Sequence, residues 1–396
     1  MKKVFNSQIL KFYTALFLRA FLLLAPVMLL FYQENGLTYK HLFLFQGIFY
    51  LTSILSEFPV GYLSDKFSRK LLLIWSFSIF LCITFIWLAF KGFWIILIGE
   101  IMYAISKVML DNATSGYLYD YLCQYRCKKQ MTKLYGYVNF YLAFGTAIAA
   151  IIGSLIYSHY GSSAVLWIEF VIILIGISLV LSLPNICKNT TKKLKYKNFL
   201  SETKRIYNLP QIKYYIYYSG LLTSFSILFA LSFQPLMQKA LFPVFMFGVI
   251  AFLNHGVRAL SGLVSGFVQK RVNIGKMIIP LYFLYILGFV LIFIILHSKN
   301  IVFVTCLIGV ICLIIGCQVL FTIMHVSRLH KFVEFDNRGS LMAINNLVSR
   351  GISAVILISS KFLMDKFNLT DFYLVAFIIY LITCGYFMLK TFHEKV

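Results

Sequence analysis

Charge is what this chain has least of. Of its 396 residues only 12% are charged, and just 13 are acidic. A soluble globular chain carries roughly a quarter of its residues as charges, which excludes an ordinary cytosolic enzyme. Proline is scarce too, at 7 residues, so few points force a helix to stop. No C-x-x-C pair occurs among the eight cysteines, Cys82, Cys123, Cys127, Cys187, Cys306, Cys312, Cys317 and Cys384. They read as small apolar-run residues with no metal to hold. The chain has no phosphate-binding P-loop, no H-E-x-x-H and no G-x-S-x-G. ATP-driven chemistry and hydrolysis in the membrane therefore have no motif to rest on, and no cofactor is expected.

What the chain has is apolar length. Hydrophobic residues make up 61% and aromatic residues 18%, in runs that recur along the whole sequence and leave no room for a separate soluble domain. The net charge of +23 would suggest nucleic-acid binding in a soluble protein. In an apolar chain it is a topological signal, and the bilayer is the expected partner. Lys2 and Lys3 precede an apolar run of about 20 residues without a small-residue cleavage site, so that run reads as a first transmembrane helix rather than a signal peptide.

A bilayer core takes about 20 apolar residues per helix. Cutting at polar, Gly/Pro and charged breaks gives twelve spans near 10–32, 41–64, 71–90, 94–117, 134–157, 164–183, 214–237, 244–266, 277–297, 301–325, 340–360 and 372–390. The fold class is all-α, a polytopic membrane protein. Connections on the side of the termini hold 25 Lys and Arg against six on the other (Lys40, Lys91, Lys239, Lys299, Lys361 and Lys366). The positive-inside rule then puts both termini in the cytoplasm, and a cell inner membrane is the expected location.

The longest hydrophilic stretch, 184–213, reads as a cytoplasmic linker between a six-helix half at 1–183 and another at 214–396. An offset near 205 superposes the first span of each half, Gly61-Tyr62-Leu63-Ser64 on Gly266-Phe267-Val268-Gln269, and Asn139-x5-Gly145 on Asn345-x5-Gly351. Agreement of three landmarks points to a duplication, an architecture that carries its solute near the bilayer midplane.

Between the second and third spans lies Gly61-Tyr62-Leu63-Ser64-Asp65-Lys66-Phe67-Ser68-Arg69-Lys70. It resembles the G-x-L-A-D-R-x-G-R-K signature of the major facilitator superfamily, with Ser64 for Ala and Ser68 for the second Gly. The resemblance implies the twelve-helix transporter fold of that family and a cytoplasmic gate. Gly61 would let helices approach, while Asp65 and Arg69 would latch the gate with Glu57 beside it. The fifth span carries Gly136-x8-Gly145-x3-Ala149-Ala150-x2-Gly153-Ser154, similar to the family's antiporter motif with Ala149-Ala150 in place of Gly-Pro. That tilts the reading toward export. The family's usual Arg of the fourth span is missing, and Glu100 stands at about its place.

A charge at mid-bilayer costs about 2.5–3.5 kcal/mol or more, so each one is a functional candidate. The basic candidates are Arg19, Lys107, Arg258 and Arg350; the acidic ones are Glu57, Glu100, Asp111 and Glu169, with Asp120 near the cytoplasmic end. Glu100, Lys107 and Asp111 are spaced i, i+7, i+11, on one narrow helix face. The family resemblance implies that spans one, four, seven and ten line the central cavity. Arg19 cannot shed its proton and needs a carboxylate, from Glu57 or Glu100 or from a solute. Lys107 has Asp111 four residues on. Asn254, His255 and Arg258 could form one polar cluster, and Arg350 with Asn345 and Asn346 another. Glu100, Asp111 and, after them, His255 are the proton-coupling candidates. Tyr214, Tyr215, Tyr217 and Tyr218 read as an interfacial belt, and Thr223, Ser224 and Ser226 as interior hydroxyls.

These residues predict a monomeric secondary transporter, not an enzyme, moving a small organic solute by proton-coupled alternating access. The cations favour an anionic solute such as a metabolite, a carboxylate siderophore or a drug. Multidrug or cationic-drug efflux and nutrient-uptake symport are the alternatives.

Overall fold

The computed structural model of the protein describes residues 7–125, 130–186, 210–272, 275–329 and 338–393. Helices are α1 (Ser7–Arg19), a 3-10 turn (Ala25–Val27), α2 (Met28–Glu34), α3 (Tyr39–Lys66), α4 (Arg69–Ala89), α5 (Phe93–Gln124) and α6 (Met131–Leu181). They are followed by α7 (Pro210–Lys239), α8 (Val244–Arg271), α9 (Gly275–His297), α10 (Ile301–Leu329), α11 (Arg338–Lys366) and α12 (Leu369–His393). The fold class is all-α. Ten of these helices are long and apolar enough to cross a membrane. The central linker lies almost wholly outside the described residues, as do both ends of the chain.

Ten helices and twelve expected spans are reconciled at two places. α6 runs for 51 residues, which at about 1.5 Å per residue is more than twice a bilayer core. Its backbone leaves the helical region at Gly161, with φ 75° and ψ −175°. A side chain is disfavoured at such an angle and glycine is not, so α6 is two limbs joined at Gly161, matching the fifth and sixth spans. The first span, expected to be continuous over 10–32, is instead broken. α1 stops at Arg19 and helix resumes only at Ala25. Pro26 explains it, because its ring lacks an N–H and would clash with the carbonyl four residues earlier.

The chain divides into two compact units, Met1–Thr191 with Pro243–His255, and Lys192–Phe242 with Gly256–Val396. In the first, α4 packs on α5, α5 on α3, and α6 on both α1 and α4. The start of α8 joins this unit through small residues: Gly248 sits directly on Ser154 and the Ala150 carbonyl, and Ser154 Oγ donates to the Phe245 carbonyl at 3.3 Å. Lys70 Nζ donates to the carbonyls of Leu181 at 2.7 Å and Leu183 at 2.6 Å, a cation on the free carbonyls of a helix C-terminus. At the kink inside α6, the Glu34 carboxylate accepts from the hydroxyls of Tyr157 and Ser162, bracketing the Gly161 turn.

In the second unit α7 is central, packed against α10, α11 and α12, while α9 packs on α10 and α12. Its core is aromatic: Phe225, Phe229, Tyr285, Phe289 and Tyr380 stack or meet edge to face with centroids 4.9 to 6.0 Å apart. Tyr215 and Tyr218 belong to this interior and not to an interfacial belt, since both are buried. Tyr218 Oη reaches the Ile278 carbonyl at 2.7 Å, which satisfies the one polar atom such a ring brings inside.

Candidate functional site

The first unit holds its most buried cation, Arg19, at the end of α1. Arg19 is only 2% exposed. It is the last residue of α1, a favourable place for a cation because the helix carbonyls point there. Its guanidinium lies over the Phe80 ring of α4 at 3.8 Å, with Tyr103 of α5 at 5.7 Å. One terminal nitrogen donates to Ser106 Oγ at 2.9 Å. Ser106 is held for this by a reciprocal pair in which Ser76 Oγ donates to the Ser106 carbonyl and Ser106 Oγ to the Ser76 carbonyl, each at 2.8 Å. The guanidinium Nε is buried and makes no hydrogen bond. Among the described residues no carboxylate stands within ion-pair distance of Arg19, so the pairings with Glu57 or Glu100 open to it by sequence are not formed. Glu169 and Asp111 act on it only electrostatically.

Glu100, on the same helix as Ser106, is 1% exposed and belongs to a different contact. Tyr32 Oη donates to its Oε1 at 2.6 Å, while Oε2 is buried with no partner. The Trp87 indole packs on neighbouring Gly99, where no side chain would fit, and its N–H is likewise unpaired. Lys107 Nζ meets Asp111 Oδ1 at 2.5 Å, with side chains 39% and 43% exposed. The three residues share a helix face as their spacing requires, but Glu100 is enclosed while the Lys107–Asp111 pair is open.

The sixth span supplies Glu169, one of the acidic candidates, for which the sequence named no partner. Glu169 is 3% exposed, and its carboxylate accepts a hydrogen bond from the Leu24 backbone while facing Arg19. Leu24 lies in the broken part of the first span, where amides have lost their helical acceptors. The fifth-span glycines hold that segment from the other side. Gly145 lies against the Phe17 carbonyl, where an added methyl would stand 2.7 Å away, and Gly153 lies still closer to the Leu23 carbonyl. Gly136 meets nothing within 4 Å. Two of the three glycines therefore serve close packing on the first span.

In the gate segment, Arg69 donates to the Ser64 carbonyl at 2.8 Å and its Nε lies 3.8 Å from the buried Asp120 carboxylate. Gly116 clears the space for that guanidinium. Asp65 is exposed and Glu57 half-buried. Gly61 has no atom within 4 Å of where a side chain would start, so the close helix approach expected there is not made; Gly153, on the Leu23 backbone, makes one instead.

Of the polar cluster expected on α8, Asn254 is buried with an unsatisfied Oδ1 and belongs to the first unit with His255, while the half-buried Arg258 belongs to the second. Arg350 is half-buried on α11. Asn345 pairs with a residue the sequence reading passed over, His325, fully buried on α10 with a ring nitrogen 3.0 Å from Asn345 Oδ1. The Tyr215 ring stands 4.3 Å from the His325 ring. Of the interior hydroxyls, Thr223 accepts from Gln318 at 3.0 Å and Ser224 meets Ser353 at 2.8 Å. No group of three or more metal-ligating side chains occurs among the described residues.

The fold has close structural counterparts. A crystal structure of the nucleoside transporter NupG superposes with a TM-score of 0.80, covering 97% of this chain and 99% of that one at 14% identity. A bacterial homolog of the human lysosomal transporter Spinster, in an inward-facing occupied conformation, gives 0.71 over 97% and 95% at 12% identity. No curated protein matches the chain in sequence. At these identities the structural likeness speaks for the fold alone, while the sequence profile of the Major Facilitator Superfamily matches residues 12–358. The chain is a multi-pass membrane transporter belonging to the Major Facilitator Superfamily.

Proposed function

We propose that this transporter carries a small organic anion, a solute with a carboxylate or phosphate group, by proton-coupled alternating access. The observation that carries the reading is Arg19: a permanently charged guanidinium, buried, with one N–H unused and no carboxylate in contact. A cation in a bilayer needs a counter-charge, and a planar fork of donors suits a carboxylate or phosphate better than any other partner. Lys107 and Asp111 lie open on the adjoining turn of α5 and would meet the solute first. Arg258, Arg350 and Asn254 are the proposed contacts on the rest of the chain. Glu100, Asp111 and His255 are the candidates to carry the proton. Export is the working direction, although the packing role of Gly145 and Gly153 would serve either direction.

The test is a thermal-shift panel on the purified protein with carboxylates, phosphates, cationic drugs and nucleosides, nucleosides being included because a nucleoside transporter shares the fold. Anions should stabilise the wild type and not Arg19→Gln. Stabilisation of both proteins alike by nucleosides or cations would overturn the reading. Flux in inverted and right-side-out vesicles under an imposed pH gradient then assigns direction.

A further inference from the structure

We infer that Glu100 carries a proton on Oε2 in this conformation, and that Tyr32 and Trp87 are the positioning residues that take up its charge when the proton leaves. This deepens the proton-coupled reading above, on which it rests.

The fold sets this acid among aromatic rings. Glu100 of α5 is buried, as are Tyr32 of α2 and Trp87 near the end of α4. Phe31 stands 5.6 Å from the Trp87 ring, and Tyr32 meets Phe45 edge to face at 5.3 Å. Among the described residues no cation comes within ion-pair distance of the Glu100 carboxyl. Its one partner is the Tyr32 hydroxyl, 2.6 Å from Oε1. A carboxylate so enclosed would rest a full charge on a single donor, which costs far more than a neutral acid with one hydrogen bond unmade.

A second observation points the same way. Trp87 Nε1 is buried with no acceptor, yet it lies against Gly99, the residue before Glu100, so closely that no side chain would fit there. Glu100 Oε2 is buried with no hydrogen-bond partner. An N–H and a carboxylate oxygen stranded on neighbouring residues would be two losses that one bond repairs. With the proton on Oε2 both groups present a donor, and no bond between them is called for.

When that proton passes to water, Glu100 becomes a carboxylate. Oε1 keeps the Tyr32 bond, now charge-assisted and about twice as strong, and Oε2 becomes an acceptor for the Trp87 N–H. Tyr32 lies beyond the break in the first span and Trp87 on the third, so loss of the proton draws α2 and α4 onto α5. The other ionisable groups on the elements around this site are already engaged or stand further off. On α5 they are Tyr103 and the Lys107–Asp111 pair; on α3, His41, whose ring meets Phe93 at 5.8 Å. Glu34 of α2 is bonded to Tyr157 and Ser162, and Arg19 of α1 to Ser106. Glu169 lies on α6, and α4 brings no ionisable group at this end.

The test reads the carbonyl stretch of protonated carboxyls by infrared difference spectroscopy, on the full-length protein in nanodiscs titrated with alkali. At neutral pH the wild type should show a band that Glu100→Gln lacks and that alkali removes. Tyr32→Phe should move that band to higher frequency and raise its midpoint by about one pH unit, because the lost donor favours the carboxylate over the acid. Trp87→Phe should raise the midpoint too but leave the band in place, since the indole bonds only the charged form. No band lost in Glu100→Gln, or a midpoint unmoved in both Tyr32→Phe and Trp87→Phe, would overturn the inference. Should Glu100→Gln not fold, isotope-labelled glutamate in Glu169→Gln, which removes the other buried glutamate, identifies the band, and its absence overturns the inference equally. A band that behaves as expected, with proton flux in vesicles left intact by Glu100→Gln, would instead sink proton coupling through Glu100.

Discussion

Gly153 on α6 rests directly on the carbonyl of Leu23, so closely that any side chain at this position would occupy the space of that backbone. The contact joins the fifth span to the point where the first is broken. Together with Glu169 on the Leu24 amide, it places residues 20–24 between a steric floor and a charged acceptor.

Gly153→Ala should therefore be costly, because the atom displaced belongs to backbone and cannot swing aside. Overpacking of this kind costs about 1–3 kcal/mol, and the melting temperature should fall while Gly136→Ala, where nothing lies within 4 Å, should leave it unchanged. Equal melting temperatures for the two variants would contradict the packing role.

Gly116→Ala should behave differently. The methyl would stand 2.5 Å from Arg69 Nε, and a long side chain can move away cheaply. Stability should hold within about 1 kcal/mol, yet Arg69 would be displaced from Asp120 and the gate latch weakened. Cysteine probes placed near Asp65 should become more reactive in Gly116→Ala; unchanged labelling would count against a latch built on Arg69 and Asp120.

Tyr32→Phe removes the hydrogen bond to Glu100 Oε1 and leaves both carboxylate oxygens unpaired in a buried site. A loss of about 1–3 kcal/mol is expected, with recovery in the double variant with Glu100→Leu, which removes the stranded group. Absence of recovery would show that the tyrosine acts through its edge-to-face contact with the Phe45 ring, 5.3 Å away, and not through the carboxylate.

Asn345→Leu strands the buried His325 ring in the same way. Thermal denaturation should show a loss of similar size, again about 1–3 kcal/mol. A neutral outcome would mean that the Tyr215 ring and the Phe321 ring stacked 6.0 Å from it suffice to hold His325.

Much of the fold was legible because a bilayer imposes one rule on every span: about 20 apolar residues bounded by polar breaks. The gate signature gave the family, and the Lys107–Asp111 pair followed from i, i+4 spacing. What could not be read depended on how helices close on one another. Pro26 was in plain view, but an apolar run counts the same whether or not its helix is broken. Arg19 therefore looked like a mid-helix residue when it is a helix terminus. Glu169 stood out as the lone acid of its span, yet its role needs the freed Leu24 amide, which belongs to a different helix. Gly61 belonged to the recognisable motif and makes no close contact, whereas Gly116, outside any motif, does. Chemical type is visible in one dimension; which small residue meets which backbone is not.

The central claim, that Arg19 is the anion anchor, is tested most directly by measuring affinity for the solute identified in the thermal-shift panel, together with melting temperature, in Arg19→Lys, Arg19→Gln and the double variant Arg19→Gln/Glu169→Gln. Lys keeps the charge and loses the two-point fork. The account predicts moderate weakening with Lys and a loss of at least about a hundredfold with Gln, as for a charged hydrogen-bonded pair worth about 3 kcal/mol, and binding not restored in the double variant. Binding and stability both recovered by neutralising Glu169 alongside Arg19 would show a purely structural charge pair and contradict it.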